Sequence, residues 1–244
     1  MSRFKSLDLR VETKPDLTPV SDADTAVEDA IRSTLSRVRS RDAVLGEEQG
    51  RQGDGARCWV VDPIDGTANF VRGVPVWATL IALMYGDDVV VGLVSAPAIG
   101  RRWWAARGSG TWTGKSLAGA SRCSVSSVAT LSDASLSYSD LAGWRERGSL
   151  KPFLDLSDEV WRTRAYGDFW SYTLVAEGAV DIAAEPSVSL WDLAALAVVV
   201  EEAGGRFTSL DGTAGPHGGD ALATNGLLHA QALSALGGDA DRLF

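Results

Sequence analysis

The chain has 244 residues, 45% of them hydrophobic and 23% charged, a composition that lets a chain of this length bury about 70–75% of its unfolded surface without a disulfide or metal merely to hold a core. Its longest apolar runs, VWATLIALM (76–84) and LAALAVVV (193–200), fall far short of the roughly 18 residues that span a bilayer. The 23 basic residues are outnumbered by 32 acidic ones, a net charge of −9, which excludes nucleic acid as a first guess because binding to its backbone needs a basic surface.

In chain order, the opening MSRFKSLDLRVETK has no apolar h-region, so it does not read as a signal peptide and the expected compartment is the cytoplasm. Residues 21–41 read as a helix. Asp22 or Asp24 can cap it, and Ala26, Val27, Ala30, Ile31 and Leu35 make an apolar stripe at helical spacing. Residues 43–45 form a short strand candidate ending at Gly46, and 58–61 another. Residues 77–85 and 89–94, joined through Gly86, Asp87 and Asp88, read as a hairpin. Two further strands are expected over 102–106 and 110–113. Beyond about residue 120 strands alternate with helices: strands over 134–138, 181–184 and 206–209, helices over 169–177 and 190–203. This is antiparallel-rich α+β followed by α/β. It suggests two subdomains, 1–120 and 121–244, without a flexible linker and acting as one catalytic unit.

The residue types narrow the chemistry. Cys58 and Cys123 cannot make a disulfide framework and lack zinc-type spacing. The two histidines, His217 and His229, lie in a glycine-rich stretch that reads as loop, so a His-based triad or His-ligated metal is not expected and Asp and Glu must do the work. The nine tryptophans are read as core and interface residues. The segment DAD (22–24) resembles a phospho-aspartate nucleophile motif, but Ala26 stands where Thr or Val is required and no strand precedes it.

Three acidic segments stand out. In WVVDPIDGTANF (59–70) an apolar strand ends in Asp62, Pro63 interrupts ladder pairing, Asp65 follows, and Gly66-Thr67 can turn into a helix start whose amides face an anion. Two carboxylates this close repel unless a cation lies between them; an Asx-type turn explains one of them, but not both. In SLWDLAALAVVVEEAGG, Asp192 sits in a helix apolar on nearly all sides. An ionised Asp there is costly unless paired or metal-bound, although Ser189 and Asp192 also fit a capping box, and both readings can hold together. In AVLGEE, Glu47 and Glu48 follow a short strand; adjacent strand residues point to opposite sides, so at most one faces a cleft, and a solvated pair is the plain alternative. Oxygen donors without Cys or His call for a hard cation such as Mg2+. If Glu47, Asp62, Asp65 and Asp192 converge, they carry roughly four negative charges and a phosphate monoester adds about two. Two or three Mg2+ ions would balance these and could support in-line displacement by an activated water.

GEE, WVVDPIDGTANF and LWDLAALAVVVEEAGG, in this order and spacing, resemble the inositol monophosphatase family of Mg2+-dependent, Li+-sensitive phosphatases. The resemblance runs from about Leu9 to Leu233. It implies a layered αβαβα sandwich, an α+β/α/β fold, and a homodimer. It also implies metal ligands at Glu47, Asp62, Asp65 and Asp192 and at the backbone carbonyl of Ile64. Gly66 and Thr67 are then phosphate contacts, and Thr67 with Asp24 orients the attacking water, so that Glu47, Thr67 and Asp24 are the catalytic set. Lys14 matches the lysine of a mobile early loop. The family's members begin with a helix that packs on the next one; this chain starts inside or after it, and if that helix is absent an apolar face is expected to be exposed. Ala68 stands where Thr or Lys is common, which removes a side chain near the phosphate but no metal ligand.

Within the family the stretches DLRVETKPDLTPVSDAD, NFVRGVPVWATLIAL, RRWWAARGSG, RAYGDFWSY, VAEGAVDIAAEP and GPHGG resemble the bacterial branch that hydrolyses L-histidinol phosphate in histidine biosynthesis. That substrate carries an ammonium and an imidazole, and it suits acidic partners. Asp168 stands where inositol-type members have a small or hydroxylated residue, and Glu185 lies where the family contacts substrate beyond the phosphate. Two such carboxylates would add charge-assisted hydrogen bonds, although Asp168 could also be a helix N-cap. The alternatives are an inositol-1-monophosphatase or other sugar-phosphate phosphatase, and a non-catalytic module that binds metal or phosphate.

Overall fold

A computed structural model gives the fold and describes residues 1–15 and 18–238. Strands β1 (Val11–Thr13) and β2 (Pro19–Ser21) pair as a small antiparallel ribbon before helix α1 (Asp22–Val38). There follow β3 (Ala43–Gly46), β4 (Gly50–Gln52), β5 (Arg57–Asp65), α2 (Thr67–Arg72), β6 (Ala78–Tyr85), β7 (Asp88–Ala96), β8 (Arg101–Ala106), β9 (Thr111–Gly114) and β10 (Ser121–Arg122). The rest of the chain forms β11 (Ser135–Ser137), α3 (Ala142–Glu146), α4 (Leu150–Glu159), β12 (Arg162–Arg164), α5 (Asp168–Ala176), β13 (Ile182–Glu185), α6 (Leu190–Glu202), β14 (Arg206–Thr208), β15 (Ala221–Thr224) and α7 (His229–Ala235).

Strands β3 to β10 make an eight-stranded sheet in the order β10-β9-β8-β7-β6-β5-β3-β4, antiparallel except where β3 lies parallel to β5. The second sheet is five-stranded, β12-β11-β13-β15-β14, with β11 parallel to both its neighbours. Helices α5 and α6 fill the space between the sheets, α1 lies on the outer face of the large sheet, and α7, with α4 against it, covers the small one. The layers therefore run αβαβα. Helix α6 packs on both sheets at once, which is why 193–200 is apolar all round and wholly buried. One core cluster joins Val60, Leu80 and Trp103 of the large sheet with Phe169, Leu196 and Ala223 beyond it.

Several expectations change. Helix α1 is capped by Ser21, with Asp24 completing the capping box; Asp22 is the first helical residue and pairs with Arg3. The apolar stripe of α1 is not its buried face. Asp24, Glu28 and Arg32 are buried, whereas Val27, Ile31 and Leu35 are half-buried and Ala26 and Ala30 exposed. Strand β5 does not stop at Pro63. Asp62 pairs with Leu80 and Asp65 with Ala78, so Pro63 and Ile64 oppose Thr79 alone. This is a β-bulge, one of the few places a sheet admits proline. His229 opens α7 and is buried between the hydroxyls of Thr208 and Thr224 rather than lying in a loop. Trp77, Trp103 and Trp144 are core, while Trp161 is exposed.

Where α6 crosses the large sheet it lies directly on Gly92. A Cβ there would meet the Ala195 carbonyl at 2.5 Å and Val198 Cγ1 at 2.6 Å. Gly92→Ala should therefore cost about 1–3 kcal/mol by overpacking, measured as a lowered denaturant midpoint with an unchanged m-value.

Candidate active site

The bulge in β5 is where the site begins. It brings Asp62 and Asp65, with the Ile64 carbonyl between them, to the floor of a cleft of about 720 Å³. The first turn of α6 adds Asp192 from the other half of the chain, the turn after β3 adds Glu47, and the start of α2 adds Gly66 and Thr67. Asp168 at the start of α5 and Glu185 at the end of β13 line the cleft as well, with Ser139, Asp140 and Tyr172, and the Asp168 carboxylate lies close beside Gly66.

Asp62, Asp65 and Asp192 each place one carboxylate oxygen within 4.8 Å of the others; they are the one such group of three among the described residues. Burial raises the pKa of all three, and their mutual repulsion raises those of Asp62 and Asp65 further. Asp62 Oδ1 is buried and takes no hydrogen bond, and the charges that press on its carboxyl are those of Asp65, Asp192 and Glu47. A buried carboxylate without a donor, surrounded by oxygen ligands, fits a hard divalent cation. Glu47 lies beside this group, its carboxyl also pushed up by burial, and takes a hydrogen bond of 2.7 Å from Lys14 Nζ. The same ammonium reaches Glu48 at 2.7 Å. Both glutamates sit in the turn after β3, not on the strand, so strand alternation does not separate them. Burial alone would lower the Lys14 pKa; the two carboxylates outweigh it and raise it.

Two of the aspartates also hold helices. Asp192 Oδ2 accepts the Ser189 N–H at 2.7 Å, completing the capping box of α6 while it faces the cleft. Asp65 Oδ2 accepts the Phe169 N–H at 2.7 Å, 104 residues away, and so caps α5 from outside. Asp168 is therefore not the N-cap: Gly167 holds that position and Asp168 is the first helical residue, in the left-handed region at φ 49°. Its carboxylate accepts from Asn69 Nδ2 at 2.8 Å, and burial lifts its pKa to about 6. Glu185 is buried, accepts from the hydroxyls of Ser139 and Tyr172, and is pushed up to about 7, chiefly by burial. Thr67 Oγ1 lies 3.1 Å from Asp24 Oδ1 and 2.8 Å from the Ile64 carbonyl. Asp24 is fully buried, and its other oxygen is held by the Ser21 N–H and hydroxyl at 2.8 and 2.6 Å.

Every candidate residue named from the sequence thus comes to this one cleft or to a residue lining it. Asn69, Ser139, Asp140 and Tyr172 were not anticipated. Tyr172 could have been, since it stands four residues beyond Asp168 on one helix face; the others become visible only when distant loops meet.

A layered αβαβα fold whose cleft is walled by oxygen donors from both halves defines a phosphatase that works with divalent cations. The chain belongs to the inositol monophosphatase family, whose model it matches over residues 1–239. It is 65% identical over 240 residues to the histidinol-phosphatase of Streptomyces coelicolor, covering 97% of this chain and 90% of that one. It is likewise 65% identical over 235 residues to the histidinol-phosphatase of Mycobacterium tuberculosis, covering 96% and 90%. Among solved structures it resembles the extragenic suppressor protein suhB of Bartonella henselae, with TM-score 0.87, 29% identity, and 96% of this chain and 91% of that one covered. Among the described residues no helix is long and apolar enough to cross a membrane.

The raised carboxyls give the protein a pH signature. A carboxyl with its pKa raised on folding binds more protons folded than unfolded, so stability falls as pH rises between the two values. For Asp168 and Glu185, at about 6 and about 7, that window starts from an ordinary carboxyl pKa of about 4. In chelator the melting temperature should decline as pH rises from about 4 through about 7, with Asp62 and Asp65, also raised, adding to the fall. Added Mg2+ should recover the part of the loss that comes from Asp62, Asp65 and Asp192.

Proposed function

We propose that this chain is a Mg2+-dependent phosphatase that hydrolyses L-histidinol phosphate to L-histidinol and phosphate, a step of histidine biosynthesis. The observation that carries the substrate choice is a second pair of carboxylates, the half-buried Asp168 and the buried Glu185, lining the same cleft as the three clustered aspartates. A cleft acidic beyond its phosphate end suits an alcohol moiety that bears an ammonium and an imidazole better than it suits a neutral polyol. The two relatives at 65% identity carry the same activity in their names.

Glu47, Asp62, Asp65, Asp192 and the Ile64 carbonyl would hold the cations; the all-oxygen donor set favours Mg2+, and the charge balance favours two or three ions. Bound there, Mg2+ supplies a nucleophilic water at neutral pH and counter-charge for the phosphate. The chain's own residues do the rest. The Gly66 and Thr67 amides at the start of α2 face the phosphate. The Thr67 hydroxyl, with Asp24 Oδ1 as proton acceptor at 3.1 Å, orients the attacking water in line with the ester bond. Asp168 and Glu185 hold the leaving alcohol through its cationic groups. The working unit is read as a homodimer in the cytoplasm, with 1–120 and 121–244 acting as two halves of one catalytic unit.

Phosphate release measured side by side from L-histidinol phosphate, inositol 1-phosphate and fructose 1,6-bisphosphate should show at least a tenfold preference in kcat/KM for the first, and none of the three should turn over in chelator. A tenfold preference for either of the others ends the substrate assignment and leaves the metal chemistry standing. Asp168→Ala should raise KM for histidinol phosphate by about tenfold, the loss expected for one charge-assisted hydrogen bond. The same substitution should leave inositol 1-phosphate turnover nearly unchanged.

A further inference from the structure

The inward face of α1 raises a question that the proposed function does not answer. Asp24, Glu28 and Arg32 recur at every fourth position and are buried, against the helix's own apolar stripe. Asp24 is accounted for by Thr67. Glu28 is fully buried, and its carboxylate touches no part of the cleft. It is instead directed at the turn that carries Glu47. Glu28 Oε2 accepts the Glu48 N–H at 2.8 Å, and Oε1 accepts the Gln49 N–H at 3.2 Å. Arg32 Nε donates to Glu28 Oε1 at 2.7 Å, and Arg32 Nη2 donates to the Gly50 carbonyl at 2.6 Å. One ion pair on a single helix face therefore grips the turn at two amides and one carbonyl. From the other side Glu47 is tied by its own N–H to the Val61 carbonyl at 3.1 Å, one residue before Asp62.

The fit between helix and turn is close. A Cβ on Gly46 would lie 2.2 Å from Glu28 Oε1 and 2.4 Å from its carboxyl carbon. The glycine before the glutamate pair thus exists to let the Glu28 carboxylate reach the backbone. Holding a turn with a buried ion pair is a poor route to stability alone, because apolar replacements of similar volume often do as well or better. What such a pair provides is direction: two amides and a carbonyl fixed at set positions, and with them the Cα–Cβ vector of Glu47.

We propose that Glu28, locked by Arg32, is a positioning residue that aims the Glu47 carboxylate at the cluster formed by Asp62, Asp65 and Asp192, and so sets the affinity of the site for its divalent cation. This rests on the reading of Glu47 as a cation ligand. Residues that orient ligands from behind typically govern metal affinity by about 10- to 100-fold. A glutamine at position 28 keeps one acceptor oxygen but turns a donor toward one of the two amides, so one hold on the turn is lost.

The test uses the full chain with Mn2+ as the probe, titrated by electron paramagnetic resonance of the free ion, alongside the melting temperature in chelator and Mg2+-dependent turnover. Glu28→Gln should weaken Mn2+ binding by about tenfold or more. The Mg2+ concentration for half-maximal turnover should rise by a similar factor, and kcat at saturating Mg2+ should stay within about twofold of the parent. Gly46→Ala, which pushes on the same carboxylate, should weaken Mn2+ binding in the same direction. If Glu28→Gln lowers the melting temperature but leaves Mn2+ affinity within twofold of the parent, the residue is only structural and the proposal falls. If that variant does not fold, Arg32→Lys decides: weaker Mn2+ binding supports the proposal and unchanged binding overturns it. Glu47→Gln tests the underlying reading separately. If it leaves Mn2+ affinity intact, Glu47 is not a ligand, and the positioning role falls with it whatever Glu28→Gln does.

Discussion

Repulsion between carboxylates crowded on the floor of one cleft is the constraint around which this molecule is arranged. Asp62, Asp65 and Asp192 stand within 4.8 Å of one another, and burial strengthens every interaction among them. Left mobile, they would swing apart into solvent. Each is therefore mounted on a backbone feature that cannot relax easily. Asp62 and Asp65 flank a proline-containing bulge inside the large sheet, and Asp192 lies on the first turn of a helix packed between two sheets. A cation placed among them would relieve that repulsion.

The same side chains hold the structure together while they face the cleft. Asp192 closes the capping box of its own helix, and Asp65 caps α5, the helix that begins with Asp168. Asp65 and the start of α5 that bears Asp168 are thus joined through one backbone amide, that of Phe169. Asn69, two residues beyond Thr67, holds the Asp168 carboxylate directly. The floor of the cleft and the wall that carries Asp168 therefore share one scaffold.

Helix α1 shows what such a site costs elsewhere. A surface helix ordinarily turns its apolar stripe inward. Here the inward face is Asp24, Glu28 and Arg32, and the apolar stripe over Val27, Ile31 and Leu35 is left half-covered. Local rules of sequence give way where a functional site needs polar groups in the interior. The tight passages at Gly46 and Gly92 have the same origin: each lets a helix come close enough to the large sheet to support what the sheet carries.

From the sequence alone it was possible to read the alternation of strands and helices, the helix apolar on nearly all sides, and the acidic segments that line the cleft. Those features are local: periodicity, turn residues and charge within a dozen positions decide them. The family resemblance joined the segments into one site. Three things were settled only by tertiary structure, because they depend on residues up to about a hundred positions apart meeting in space. These are the bulge that carries β5 past Pro63, the inversion of α1, and the meeting of Asp65 with Phe169 and of Asn69 with Asp168. The short strands β1, β2, β4, β10, β12 and β15 escaped for the same reason: two to four residues hold no period of their own, and only their partners make them strands. A carboxylate's type and spacing are written in the chain, but whether it faces a cation, a helix end or a neighbouring turn is decided by what folds against it.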